Sequence, residues 1–158
     1  MLVSPFGTYH HTCFIVHDVD ARAEQLARTA GIGPWHVWTI TPVEATLRGV
    51  KIDLSFRVAL AEHGAASYEL ISPITPGNVY TEHLEARGEG FHHTCHIFAS
   101  RDALREAKAR MAAMGREVIQ DGSLGDLGEF CYFGVSELGC ALEFLFLEGL
   151  PPPEKCIA

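Results

Sequence analysis

Two copies of one eight-residue pattern, set about half a chain apart, constrain the fold more than any other feature of the sequence. Tyr9-His10-His11-Thr12-Cys13-Phe14-Ile15-Val16 is answered by Phe91-His92-His93-Thr94-Cys95-His96-Ile97-Phe98, with six of eight positions identical or aromatic for aromatic. Such self-similarity marks a structural unit used twice. After the first copy, Asp18-Val19-Asp20 and then Ala21 to Ala30, rich in good helix formers and stopped by Gly31, predict an acid-capped helix with a glycine terminus. After the second, Ser100 or Asp102 can cap a helix that runs through Met114 and ends at Gly115.

Beyond each helix the pattern turns to strands. In the first half these are Trp35 to Ile40, Val50 to Leu60 and Ser67 to Ile71, separated by Pro42, Gly49 and Gly64. In the second they are Arg116 to Gln120, Glu129 to Val135 and Cys140 to Leu147, separated by glycines. The fold class is therefore α+β, with two tandem βαβββ modules over residues 8–72 and 91–148. Residues 73–90, with Pro73, Pro76, Gly77, Gly88 and Gly90 around a short helical stretch at Val79 to Ala86, read as a linker. Pro151-Pro152-Pro153 cannot continue a sheet, so residues 149–158 read as a surface tail.

Alternation along a strand puts His11, Cys13 and Ile15 on one face, and His93, Cys95 and Ile97 on the equivalent face of the repeat. His10 and His92 are the register alternative, because a one-residue slip exchanges the faces. The last strand of each half carries a carboxylate in apolar company: Glu69 between Tyr68 and Leu70, and Glu143 within Ala141-Leu142-Glu143-Phe144-Leu145-Phe146-Leu147. A buried carboxylate must be paired or metal-bound, and neither strand supplies a Lys or Arg. Two neutral imidazoles and two carboxylates converging on one divalent metal ion satisfy His11, Glu69, His93 and Glu143 together. Such a site suits Zn, Fe, Co, Ni or Mn. Cys13 and Cys95 read as small buried core residues, and Trp35, Trp38, Phe56, Tyr132 and Phe133 as aromatics of the core or pocket. His17, His36, His63, His83 and His96 follow no pattern.

The formal net charge of −8 repels polyanions, and no basic stripe interleaved with aromatics is present, which excludes nucleic acid as the expected partner. Five cysteines without a C-x-x-C pair indicate reduced thiols. Met1 to Thr8 lack the basic start and apolar stretch of a secretory signal, and no apolar run approaches the roughly 20 residues of a membrane span. A cytoplasmic protein with no membrane partner is expected.

These residues resemble the vicinal oxygen chelate superfamily, also called the glyoxalase and bleomycin-resistance superfamily, and within it the methylmalonyl-CoA epimerase branch. The resemblance is carried by His11-Thr12-Cys13-Phe14-Ile15-Val16-His17-Asp18-Val19-Asp20, Gly31-Ile32-Gly33-Pro34-Trp35, Tyr68-Glu69-Leu70-Ile71-Ser72-Pro73, Leu84 to His93, and Gly139-Cys140-Ala141-Leu142-Glu143. It implies two βαβββ modules curled around a metal-holding cleft, with His11, Glu69, His93 and Glu143 as ligands and Glu69 or Glu143 as catalytic base. It further implies a homodimer and a small-molecule substrate. The implied chemistry is that of an isomerase, epimerase or lyase acting through a chelated enolate on a small carbonyl or acyl-thioester substrate. Where the epimerases carry a second acid, Gly49-Val50-Lys51 leads here to Ile52, with Asp53 one residue further on the opposite face. The competing readings are an Fe(II) ring-cleaving dioxygenase, whose two His and one carboxylate would leave position 69 without a ligand, and a non-enzymatic antibiotic-binding protein, which would lack the complete set.

Overall fold

The computed structural model describes residues 5–158. Its first half comprises β1 (Thr8–Ile15), α1 (Val19–Ala30), β2 (Trp35–Ile40), β3 (Glu44–Leu47), β4 (Val50–Lys51), β5 (Phe56–His63) and β6 (Ala66–Pro73). Then come α2 (Val79–Arg87), β7 (Gly90–Ile97), α3 (Arg101–Ala113), β8 (Val118–Ser123), β9 (Gly128–Val135), β10 (Cys140–Leu147) and β11 (Lys155–Ile157). The helix ends follow local chemistry. Asp18 accepts a hydrogen bond from the Ala21 amide, Ser100 one from the Ala103 amide, and Gly31 closes α1 at φ 66° in the left-handed region that favours glycine.

The two copies of the repeat become neighbours. β1 and β7 pair antiparallel at the centre of an 11-stranded sheet, ordered β11-β2-β5-β6-β1-β7-β10-β9-β8-β3-β4. Each central strand gains a parallel partner from the end of its own half, β6 beside β1 and β10 beside β7. The four strands that carry His11, His93, Glu69 and Glu143 are therefore consecutive in the sheet. The sheet is open and curled. One core cluster, including Ile15, Phe56, Ile71, Cys95 and Tyr132, lies on its inner face. On the outer face Val16, Trp35 and Leu70 pack beneath α1, and Phe98, Phe133 and Phe144 beneath α3.

Two segments differ from the sequence expectation. Val50 to Leu60, expected as one strand, ends after Lys51 and resumes at Phe56, while Glu44–Leu47 forms a strand that the pattern does not signal. Arg48 (φ 49°) and Gly49 (φ 79°) make the two-residue turn that folds β4 back on β3. The resulting hairpin leaves its own half and pairs with β8 of the other. The expected surface tail also returns to the sheet. Residues 148–154, with the three prolines, stay out of it; Lys155–Ile157 then pair with β2, and Ile157 is buried beneath α1. Among the described residues no helix is long and apolar enough to cross a membrane. The absence of a secretory signal was read from Met1 to Thr8, of which residues 1–4 lie outside the described residues.

Candidate metal centre

Strand alternation carries His11 and Glu69 to the inner face of the sheet from one half, and His93 and Glu143 from the other. All four are buried, the most exposed being Glu69 at 7%. One ligand-capable atom from each lies within 4.8 Å of all the others. His11 Nε2 stands 3.0 Å from Glu69 Oε2 and 3.1 Å from Glu143 Oε2, and His93 Nε2 stands 3.4 and 3.2 Å from the same two oxygens.

Proximity here is not the same as hydrogen bonding. Glu69 Oε2 and His93 Nε2 are fully buried yet have no hydrogen-bond partner, despite neighbours of opposite character at those distances. Of the four contacts only that between His11 Nε2 and Glu143 Oε2 is a hydrogen bond. Unmade hydrogen bonds on buried charged groups cost several kcal/mol, so the geometry fits a cation between them, which would satisfy all four groups. The donor set, two imidazole nitrogens and two carboxylate oxygens, could hold one divalent transition ion.

The electrostatics agree with the geometry. Burial pushes the Glu69 carboxyl up, but His11 and His93 outweigh it and hold it at about 2. Glu143 is likewise held well below the ordinary carboxylate range, with burial again overcome by the two imidazoles. Burial in turn lowers His11 and His93, and the two carboxylates reverse the sign and raise both.

The first histidine of each pair is explained by a feature that alternation does not predict. Tyr9 faces His96 and His11 faces Cys95, so His10 is an extra residue in β1; Cys13 faces His93 and Phe14 faces Phe91, so His92 is an extra residue in β7. Each is a β-bulge, which disrupts the alternation of faces. His10 Nδ1 therefore meets His11 Nδ1 at 2.8 Å, and His92 Nδ1 meets His93 Nδ1 at the same distance. If Nε2 of His11 and of His93 coordinates a metal, the ring proton sits on Nδ1 and would be donated to Nδ1 of the preceding ring. The accepting rings are neutral, as their environment requires. Burial, then the adjacent His11, lowers His10, while burial and His93 bring His92 down to about 2. Neither bulged histidine replaces its neighbour at the centre; each orients it. The signal in the sequence was the duplicated pair itself, which is more than a single ligand needs.

Other expectations resolve as follows. Cys13 lies between Glu69 and His93, and Cys95 between Glu143 and His11, each on a neighbouring strand in register. Both are fully buried, and burial first, then the nearby carboxylates, pushes their thiols well up, so they stay protonated core residues. Of the five aromatics, Phe56 and Tyr132 line the cleft beside the four groups. Trp35 and Phe133 pack outward under the helices, and Trp38 is buried with its indole N–H donated to the Pro151 carbonyl. Tyr132 sits with its ring 4.9 Å from that of His93 and its hydroxyl 2.8 Å from that of Tyr80 on α2. His83, which followed no pattern, stands edge-on to His92. Ile52 packs against the inner core and Asp53 is exposed, so neither supplies an acid to the cleft. A larger hollow of about 340 Å³, lined by Phe14, Val16, Trp35 and Leu70 with the Arg22–Glu89 ion pair, lies across the sheet beneath α1. It does not reach the four groups, because its lining residues alternate with theirs.

Residues 10–133 match the family model described as the Glyoxalase/Bleomycin resistance protein/Dioxygenase superfamily. The chain belongs to that superfamily. No curated protein sequence matches it. Among solved structures it is similar to a Streptomyces coelicolor methylmalonyl-CoA epimerase variant in complex with 2-nitronate-propionyl-CoA, at 20% identity and a TM-score of 0.66, over 91% of this chain and 99% of that one. The methylmalonyl-CoA epimerase from Mycobacterium tuberculosis is similar at 19% identity and a TM-score of 0.62, over 94% of each chain. A hypothetical protein from Bacillus halodurans C-125 is similar at 16% identity and a TM-score of 0.63, over 91% of this chain and 96% of that one. At these identities the likeness establishes the superfamily's fold and leaves the reaction to be argued from the site.

Two predictions follow from this geometry. Replacing His10 or His92 by Ala removes the acceptor that orients a candidate ligand, and each change weakens Co²⁺ affinity by about 10–100-fold in calorimetry; unchanged affinity contradicts the orienting role. Because the carboxylates raise His11 and His93, a proton competes with a metal ion for each ring. Apparent affinity therefore rises with pH, and Zn²⁺ binding releases protons, read from calorimetry in buffers of different ionisation enthalpy. Binding without proton release contradicts this.

Proposed function

We propose that the protein is a divalent-metal-dependent isomerase, epimerase or lyase of the glyoxalase type, acting through an enolate on a small carbonyl or acyl-thioester substrate. The observation that carries this reading is the convergence of His11, Glu69, His93 and Glu143, two residues from each half, with two of their buried polar atoms lacking any hydrogen bond. These four residues are assigned as the ligands of one ion. When bound, a divalent ion supplies Lewis-acid polarisation of adjacent substrate oxygens, which acidifies the neighbouring C–H.

The remaining chemistry falls to the chain's own side chains. Glu69 and Glu143 are held ionised by the imidazoles, so either presents an Oε able to accept a carbon-bound proton. His10 and His92 fix the imidazole planes from behind. The apolar inner face excludes water from the carbanionic charge that develops. Four candidate ligands, rather than two His and one carboxylate, favour this reading over a ring-cleaving Fe(II) oxygenase.

The test is C–H to C–D exchange in D₂O, followed by NMR, with Zn²⁺- or Co²⁺-loaded protein and a panel of 2-oxo acids together with methylmalonyl-CoA. Exchange into at least one member is expected, with a loss of about 10²–10⁴-fold in Glu69→Gln or Glu143→Gln, whichever is the base. Metal-loaded protein that exchanges no member of the panel contradicts the reading.

A further inference from the structure

We propose that the substrate is compact and free of phosphate, with a short aliphatic tail beside two metal-facing oxygens, and is not a coenzyme A thioester; this rests on the metal-assisted enolate reading above.

The first observation is the lining of the cleft. Around His11, Glu69 and Glu143 its wall is built from Ile40, Val58, Leu60, Phe130, Leu145 and Leu147. Most of the polar groups in that wall are already engaged. His10 is bonded to His11, the Tyr132 hydroxyl to Tyr80, and the remainder face the centre. A substrate tail carrying hydroxyls or amides would bury polar groups with few partners, which is unfavourable, so the tail that fits is hydrocarbon.

The second observation is size. The free space beside the four groups is about 60 Å³, whereas sites for drug-sized ligands run to about 300–1,000 Å³. The C-terminal segment borders this space. Leu150 forms part of the cleft wall, and the segment is held there by the bond from Trp38 Nε1 to the Pro151 carbonyl, 2.8 Å, and by the pairing of β11 with β2. The stretch expected to be a surface tail therefore borders the cleft.

The third observation is charge. No Lys or Arg among the described residues lines the cleft. Four guanidinium groups are engaged elsewhere: Arg57 with Asp20 and Glu154, Arg48 with Glu82, Arg101 with Glu129, and Arg116 with Glu137. With a formal net charge of −8 the chain repels a polyanion. A nucleotide handle bearing several phosphates would meet neither a cationic clamp nor a favourable field. A small 2-oxo acid asks for neither, since its carboxylate and keto oxygens are the adjacent pair that the metal site takes.

The test uses Zn²⁺-loaded protein and three probes, 3-methyl-2-oxobutanoate, phenylpyruvate and methylmalonyl-CoA, with binding read by calorimetry and C–H exchange read separately by NMR. 3-Methyl-2-oxobutanoate is expected to bind at least about 10-fold more tightly than either of the others, a factor within reach of a shaped apolar pocket. Leu150→Ala, which changes a partly exposed wall residue outside the site chemistry, is expected to raise the preference for phenylpyruvate over 3-methyl-2-oxobutanoate by about 10-fold. Methylmalonyl-CoA binding as tightly as the aliphatic acid overturns the phosphate-free assignment and leaves the enolate reading standing. Phenylpyruvate binding equally well to the unmodified protein overturns the size limit, and binding of none of the three overturns the proposal. Selective binding of the aliphatic acid without exchange upholds the cleft assignment and contradicts the enolate reading instead.

Discussion

Two carboxylates and two imidazoles buried against one another at the seam between β1 and β7 are the constraint around which the rest of the structure is arranged. Charges removed from water persist only when their neighbours compensate them. Here the compensation is mutual: the imidazoles hold Glu69 and Glu143 ionised, and the carboxylates raise His11 and His93. The residual mismatch, two buried atoms without hydrogen bonds, has the form that a cation would complete.

The duplication makes this arrangement inexpensive in structural terms. One strand–helix pattern used twice, with the first strands paired antiparallel, brings equivalent side chains together without a long loop or a special turn at the centre. The same relation places Cys13 and Cys95 as small neutral spacers between a Glu and a His from adjoining strands. It also repeats the bulge, so each half supplies one histidine that faces the centre and one that steadies it. The two halves are then tied at the edge, where β3 of the first half pairs with β8 of the second.

Much of this was legible in the sequence, and the failures have a common cause. The repeat, the capped helices and the carboxylates in apolar strands are local signals, and they located the strands bearing His11, Glu69, His93 and Glu143. The β3–β4 hairpin takes its stability from a strand in the other half, and β11 from β2 more than a hundred residues earlier in the chain, so neither has a local pattern strong enough to stand out. The bulges at His10 and His92 escaped for a different reason. Alternation assumes one residue per pleat, and an extra residue can be seen only against its partner strand. For the same reason the aromatics could not be sorted between cleft and helix-facing layers: Trp35 and Phe133 belong to the outer layers, Phe56 and Tyr132 to the cleft.

The central claim is that the four buried groups hold one transition metal ion, and elemental mass spectrometry of untagged purified protein tests it most directly. The expected result is about one such ion per chain, as for a single four-ligand site, and its loss in Glu143→Ala. Protein that carries none, and takes up none when Zn²⁺, Co²⁺, Ni²⁺, Mn²⁺ and Fe²⁺ are each supplied, would contradict it.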